Sequence, residues 1–244
     1  MFVRVSVICV ASLLLLACTS INQGIEIADG QEFEGNLSTV NGPIRIGADC
    51  TVHGNLANVN GSIQVGPGSV TGSIRNVNGS ISVEDKASVG AIETVNGALR
   101  LGNEVRVSGA ASTVNGSLQG GTDVHIEGNA STVNGRLTLA AGGRVAGRVS
   151  TVNGGIRLEA SQAAAVETTS GSIELLDGTI IEGTLRVREP SREQRDRPRV
   201  LIGADVRVGG PLQFDRPVEL YIHESAEIGE IHGAEAQFFS GERP

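Results

Sequence analysis

Apolar residues recur along this chain in pairs two positions apart: Ile81 and Val83, Leu99 and Leu101, Leu137 and Leu139. That spacing sets both side chains of a pair on one face of an extended strand. Helical spacing is not sustained, and β-branched residues dominate, as expected of strands. The pairs themselves recur with a fixed period. The tripeptide Val-Asn-Gly occurs seven times, with asparagines at 41, 60, 78, 96, 115, 134 and 153, at intervals of 19, 18, 18, 19, 19 and 19 residues. A short constant period is the signature of a stacked, quasi-one-dimensional fold. The pattern therefore predicts an all-β, single-stranded β-helix, a β-solenoid of about 11 three-sided coils, with 18–19 residues per coil.

Within one coil the apolar positions Val77, Ile81, Val83, Val89, Ile92 and Val95 are expected to point inward. Their burial drives folding, at about 1.5–3 kcal/mol per aliphatic side chain before chain entropy is subtracted. Asn and Gly both tolerate positive φ, so each Asn-Gly is expected to form a sharp corner. Asn41, Asn60, Asn78, Asn96, Asn115, Asn134 and Asn153 would then stack as a corner ladder, bonding amide to amide along the axis. Threonine precedes the Val-Asn pair in five coils, at Thr39, Thr94, Thr113, Thr132 and Thr151, and Asn58 and Asn76 replace it in two. If the valine points inward, these threonines face outward and make a regular Thr/Asn stripe, a candidate surface for water or a repetitive polymer.

After Gly154 the phrase decays to Thr169-Ser170-Gly171. The stretch 188–199 carries five arginines, three acids and two prolines without apolar periodicity, and it reads as an exposed loop. Its arginines are candidate contacts for phosphate or carboxylate groups. Coil spacing resumes at Val200 and Ile202, and Phe238 with Phe239 stand where the far end would close. The expected organisation is a signal peptide over 1–17, a lipidated tether over 18–23, regular solenoid over 24–187, the loop over 188–199, and C-terminal coils with a cap over 200–240.

The N-terminal assignment rests on Arg4, an apolar run from Val5 to Leu16, and the sequence Leu15-Leu16-Ala17-Cys18. The run falls short of the ~20 residues that span a bilayer and has the layout of a secretory signal. The cysteine after a small residue resembles the lipobox of bacterial lipoproteins. That resemblance implies cleavage before Cys18, acylation of its thiol and amino group, and a membrane anchor there. Thr19, standing where an aspartate favours inner-membrane retention in that family, implies the outer membrane. Cys9 leaves with the signal, so Cys50 has no intramolecular partner and is expected to be a small filler.

A net charge of −8 opposes nucleic acid as a partner, and a 2% aromatic content suits a narrow aliphatic column better than a globular core. Lys86 is the only lysine, which excludes P-loop and Schiff-base chemistry. The histidines 53, 125, 223 and 232 form no HxH or HExxH motif, and only His223 and His232 with Glu224 fall near one another. No metal, cofactor or catalytic residue is therefore expected. The repeated T-V-N-G-x-I-x-L phrase over Ser38–Leu158 resembles the strand-repeat domains of bacterial envelope proteins known as putative adhesins. The corner glycines and I-x-V runs also resemble the bactofilins, which are polymer-forming β-helical proteins. These resemblances imply a non-enzymatic envelope protein that is structural, adhesive or self-assembling, with the membrane and an envelope polymer as partners. The rival readings are a solenoid that binds polysaccharide or ice through the Thr/Asn stripe, and a polysaccharide-acting enzyme, which would need acids converging in a groove.

Overall fold

The computed structural model describes residues 7–8, 18–191, 196–241 and 244. Every described element is a strand, and every pairing is parallel. The chain winds as a three-sided β-solenoid of about 11 turns. One coil illustrates all of them. Ile81–Val83 lies on the first face, Ser88–Val89 on the second and Ile92–Asn96 on the third, and Leu99–Leu101 then begins the next coil on the first face. The first face is a sheet of 13 strands. Its residues stack in unbroken columns, such as Ile63, Ile81, Leu99 and Leu118. The other two faces form one sheet of 21 strands, joined where Arg144–Thr151 runs through the corner between them.

Strand alternation decides what faces inward. Ile81, Val83, Ala87, Val89 and Ile92 are buried, and the sixth inward residue of this coil is Thr94. The column position of Ala87 takes Cys50 one coil and Ser69 another; Cys50 is fully buried, with its thiol 3.0 Å from the Ala28 carbonyl.

Between the first and second faces the chain turns through the left-handed region, at Gly30, Asp49, Gly68, Lys86, Glu104 and Asp123 in successive coils. The alternation between 18 and 19 residues is absorbed at a different corner. Three residues separate inward Val52 from inward Leu56, but only two separate Thr71 from Ile74. The Val-Asn-Gly corner and the first face keep their register throughout because this other corner takes up the slack.

One boundary differs from the sequence-based expectation. Cys18–Ser20 is not a free tether: its backbone pairs with Leu37–Thr39 and starts the third face. A strand added to a sheet satisfies backbone groups that a tether would leave to water. After residue 199, Val200 and Ile202 pair with Ile173 and Leu175 of the regular stack. Residues 188–198 are thus an insertion within one continuous solenoid. The expected signal segment, apart from the short strand Val7–Ile8, lies outside the described residues, as does 192–195 of the expected loop.

Candidate functional site

The repeated surface lies along the third face and its Val-Asn-Gly corner. In Ile92–Asn96 the burial alternates from the first residue: Ile92 in, Glu93 out, Thr94 in, Val95 out. The five threonines expected on an outward stripe (Thr39, Thr94, Thr113, Thr132 and Thr151) are therefore buried, at 1–4% exposure. Their phase is set by the aliphatic residue two positions before, which must face the core. Inside, the threonine hydroxyls donate to backbone carbonyls at the adjoining corner: Thr39 to Gln23 at 3.0 Å, Thr113 to Gly97 at 3.0 Å and Thr132 to Gly116 at 2.9 Å. They serve the fold and are out of a ligand's reach.

The valines of Val-Asn-Gly, expected inward, instead form the outer column. Val40, Val59, Val77, Val95, Val114, Val133 and Val152 are 37–40% exposed. Beside them the asparagines run as a continuous amide ladder on the exposed corner. Each Nδ2 donates to the Oδ1 of the asparagine one coil earlier, from Asn153 down through Asn134, Asn115, Asn96, Asn78, Asn60 and Asn41 to Asn22, at 2.6–3.0 Å. None of the seven repeat asparagines has positive φ, so their place in the motif comes from the ladder. The glycine that follows is required by close approach: a Cβ on Gly97, Gly116, Gly135 or Gly154 would overlap the carbonyl of the equivalent glycine one coil earlier.

The other outward columns mix charged and polar residues with single apolar ones such as Val70 and Ile180. Ion pairs join adjacent coils: Arg75 with Glu93 at 3.0 Å, Arg157 with Glu174 at 3.0 Å, and Arg207 with Glu227 at 2.8 Å. A groove of about 510 Å³ follows the corner between the second and third faces, floored by Asn36, Ser38, Asn55 and Ala57 and ended by Arg75 and Glu93.

The described ends of the arginine-rich insertion are tied down. Arg188 meets Glu167 at 2.8 Å, the Arg199 guanidinium lies 5.0 Å from the Tyr221 ring centre, and Arg216 donates to the Asp196 carbonyl at 2.6 Å. His223 and His232 stand on different sheets; His223 accompanies Ser225 and Phe239, while His232 lies 3.4 Å from Glu230.

One convergence of side chains was missed in the sequence. Glu32 and Glu34 both point outward from the strand Glu32–Glu34, and His53 is the register partner of Glu34 on the next coil. One donor atom from each of the three lies within 4.8 Å of the others. The signal was present: residues 34 and 53 are 19 apart, one coil length. Among the described residues no helix is long and apolar enough to cross a membrane. Comparison with profiles of known families, with characterised proteins and with solved structures finds no match.

Proposed function

We propose that this chain is a non-enzymatic lipoprotein of the bacterial cell envelope, a rigid rod held at one end by acyl chains on Cys18. Its role is structural or adhesive, on the outer membrane. The observation that carries this reading is that Cys18, the residue the lipobox resemblance marks for acylation, opens the backbone strand at the N-terminal end of the solenoid. Anchor and rod are then continuous, with no flexible linker between them. Stacked at about 4.8 Å per coil, the rod reaches on the order of 50 Å from its anchor. Two or more acyl chains give stable attachment, since each buried methylene contributes about 0.8 kcal/mol.

The reading is tested by mass spectrometry of the membrane-extracted protein. A mature N-terminal peptide beginning at acylated Cys18 is expected, and Cys18→Ser should leave the signal uncleaved and the acyl mass absent. An unmodified cysteine in membrane-bound wild type would sink the proposal.

Self-association fits the same reading. Among the described residues the last strand, Ala236–Phe239, pairs on one side only, and Phe238 at the end of the core column is 64% exposed. Sedimentation of the chain across a concentration series, beside Phe238→Glu, tests this. A wild type that stays monomeric throughout refutes it.

The second reading, a ligand-binding solenoid, is supported by the outer valine column and the amide ladder, not by the threonines. Both repeat once per coil, and a polysaccharide or ice surface of matching periodicity would meet the same chemistry at each step. Val114→Arg with Val133→Arg interrupts the column and should abolish retention on such a polymer; unchanged retention removes this reading.

A further inference from the structure

We propose that Glu32, Glu34 and His53 bind a first-row divalent cation of the zinc type at the N-terminal end of the second face. Three observations carry the assignment. The first is donor chemistry: two carboxylates and an imidazole are borderline to hard ligands, a set suited to zinc with water completing the shell.

The second is geometry. Zinc–nitrogen and zinc–oxygen bonds of about 2.0–2.1 Å in a tetrahedral site put neighbouring ligand atoms about 3.3 Å apart. Here the His53 Nε2 lies 2.8 Å from Glu32 Oε1 and 3.8 Å from Glu34 Oε1, distances on either side of that value. Small rotations of two exposed carboxylates bring all three into range. The backbones beneath them are fixed by parallel pairing of Glu32–Glu34 with Thr51–His53.

The third is charge. Several outward carboxylates elsewhere on the rod are met by an arginine of a neighbouring coil, as at Arg75 with Glu93, Arg157 with Glu174 and Arg186 with Asp215. Glu32 and Glu34 instead share one imidazole. Among the described residues no arginine or lysine pairs with either; the partner of both is His53. The register neighbours of Glu32, Thr51 and, one coil on, Val70, are uncharged. Two adjacent carboxylates facing a single imidazole are a concentration of acidic donors that a divalent ion satisfies. Among the described residues the strand Glu32–Glu34 pairs with Thr51–His53 alone.

The test is a Zn²⁺ titration of the purified full chain in competition with a chromophoric chelator, run beside His53→Ala, Glu32→Gln/Glu34→Gln and His125→Ala. The wild type is expected to take up one equivalent. Losing a ligand should weaken binding by about tenfold or more, at least the effect of losing a supporting outer-shell group. His125→Ala, another outward histidine on the same face, should bind like wild type. Co²⁺ substituted at the site should give the absorption of a tetrahedral ion, lost in His53→Ala. Circular dichroism checks that each variant keeps its strand content, and the near-isosteric Gln pair keeps the test valid if His53→Ala misfolds. Affinity unchanged in both ligand variants, or lowered equally by His125→Ala, overturns the proposal.

Discussion

Asn58 offers a sharp test of how the interior works. It occupies the inward position that is threonine in six other coils, and it is 4% exposed. Its Nδ2 donates to the Gly42 carbonyl at 2.9 Å, the same kind of bond that Thr39 makes one coil earlier. Its Oδ1 is buried with no hydrogen-bond partner. Asn58→Thr should keep the single donated bond, hold side-chain volume nearly constant and remove the orphaned acceptor. A buried unsatisfied group costs about 1–3 kcal/mol, and the change in strand preference is at most ~1 kcal/mol in the same direction. We therefore expect stabilisation of about 1–2 kcal/mol. The mirror substitution Thr113→Asn places an amide where one hydroxyl bond to Gly97 sufficed, and it should cost a similar amount. Equilibrium urea denaturation of both variants beside wild type measures this as opposite midpoint shifts at constant slope. Two shifts of the same sign, or none, would refute the claim that the threonine column exists to satisfy the corner carbonyls without leaving a buried acceptor.

Other expectations concern the corners and the ends. Gly116→Ala drives a Cβ into the Gly97 carbonyl and should destabilise by about 3 kcal/mol. Gly30→Ala, at φ +69° with open space around it, should cost only the left-handed backbone strain of about 1–2 kcal/mol; thermal denaturation of the two ranks them. The Asn-Gly corners should also age unequally. The Gly61 and Gly79 N–H groups donate to Asn78 and Asn96 carbonyls at 2.9 Å, whereas at later corners Asn134 and Asn153 donate their own N–H to Val114 and Val133. Succinimide formation needs the glycine nitrogen to attack the asparagine side chain. Peptide mapping after incubation at mild alkaline pH should therefore find deamidation at Asn134 and Asn153 ahead of Asn60 and Asn78; the reverse order would contradict this account.

The solenoid itself was legible because its period is short and its core is chemically plain. Residues such as Ile81, Val83 and Ile92 announce both the strands and the face they share. The third face was misread because hydrophobicity was allowed to set the phase. Val95 is apolar and Thr94 is not, yet alternation counted from Ile92 sends the threonine inward and the valine out. The wide corner at Asn96-Gly97 makes this possible, since it interrupts the alternation before the next coil begins. The convergence of Glu32, Glu34 and His53 was hidden for a different reason: it follows from adding one coil length to residue 34, and motif spacings drawn from helices and loops do not contain that step. The pairing of Cys18–Ser20 with Leu37–Thr39 has no local apolar signal, so only the stacked backbone reveals it.

The amide ladder runs in one sense from end to end. Every asparagine from 41 to 153 hands its N–H to the coil before it and receives one from the coil after it, except at the last. Eight side-chain dipoles are thus aligned along the rod, and hydrogen bonds in such a chain polarise one another, by about 10–30% per bond. The rod has an electrical direction as well as a chemical one. Its N-terminal end is the positive pole of this array and its far end the negative pole, so two rods lying side by side along this corner are no longer indifferent to orientation: antiparallel neighbours attract through the ladder and parallel neighbours repel.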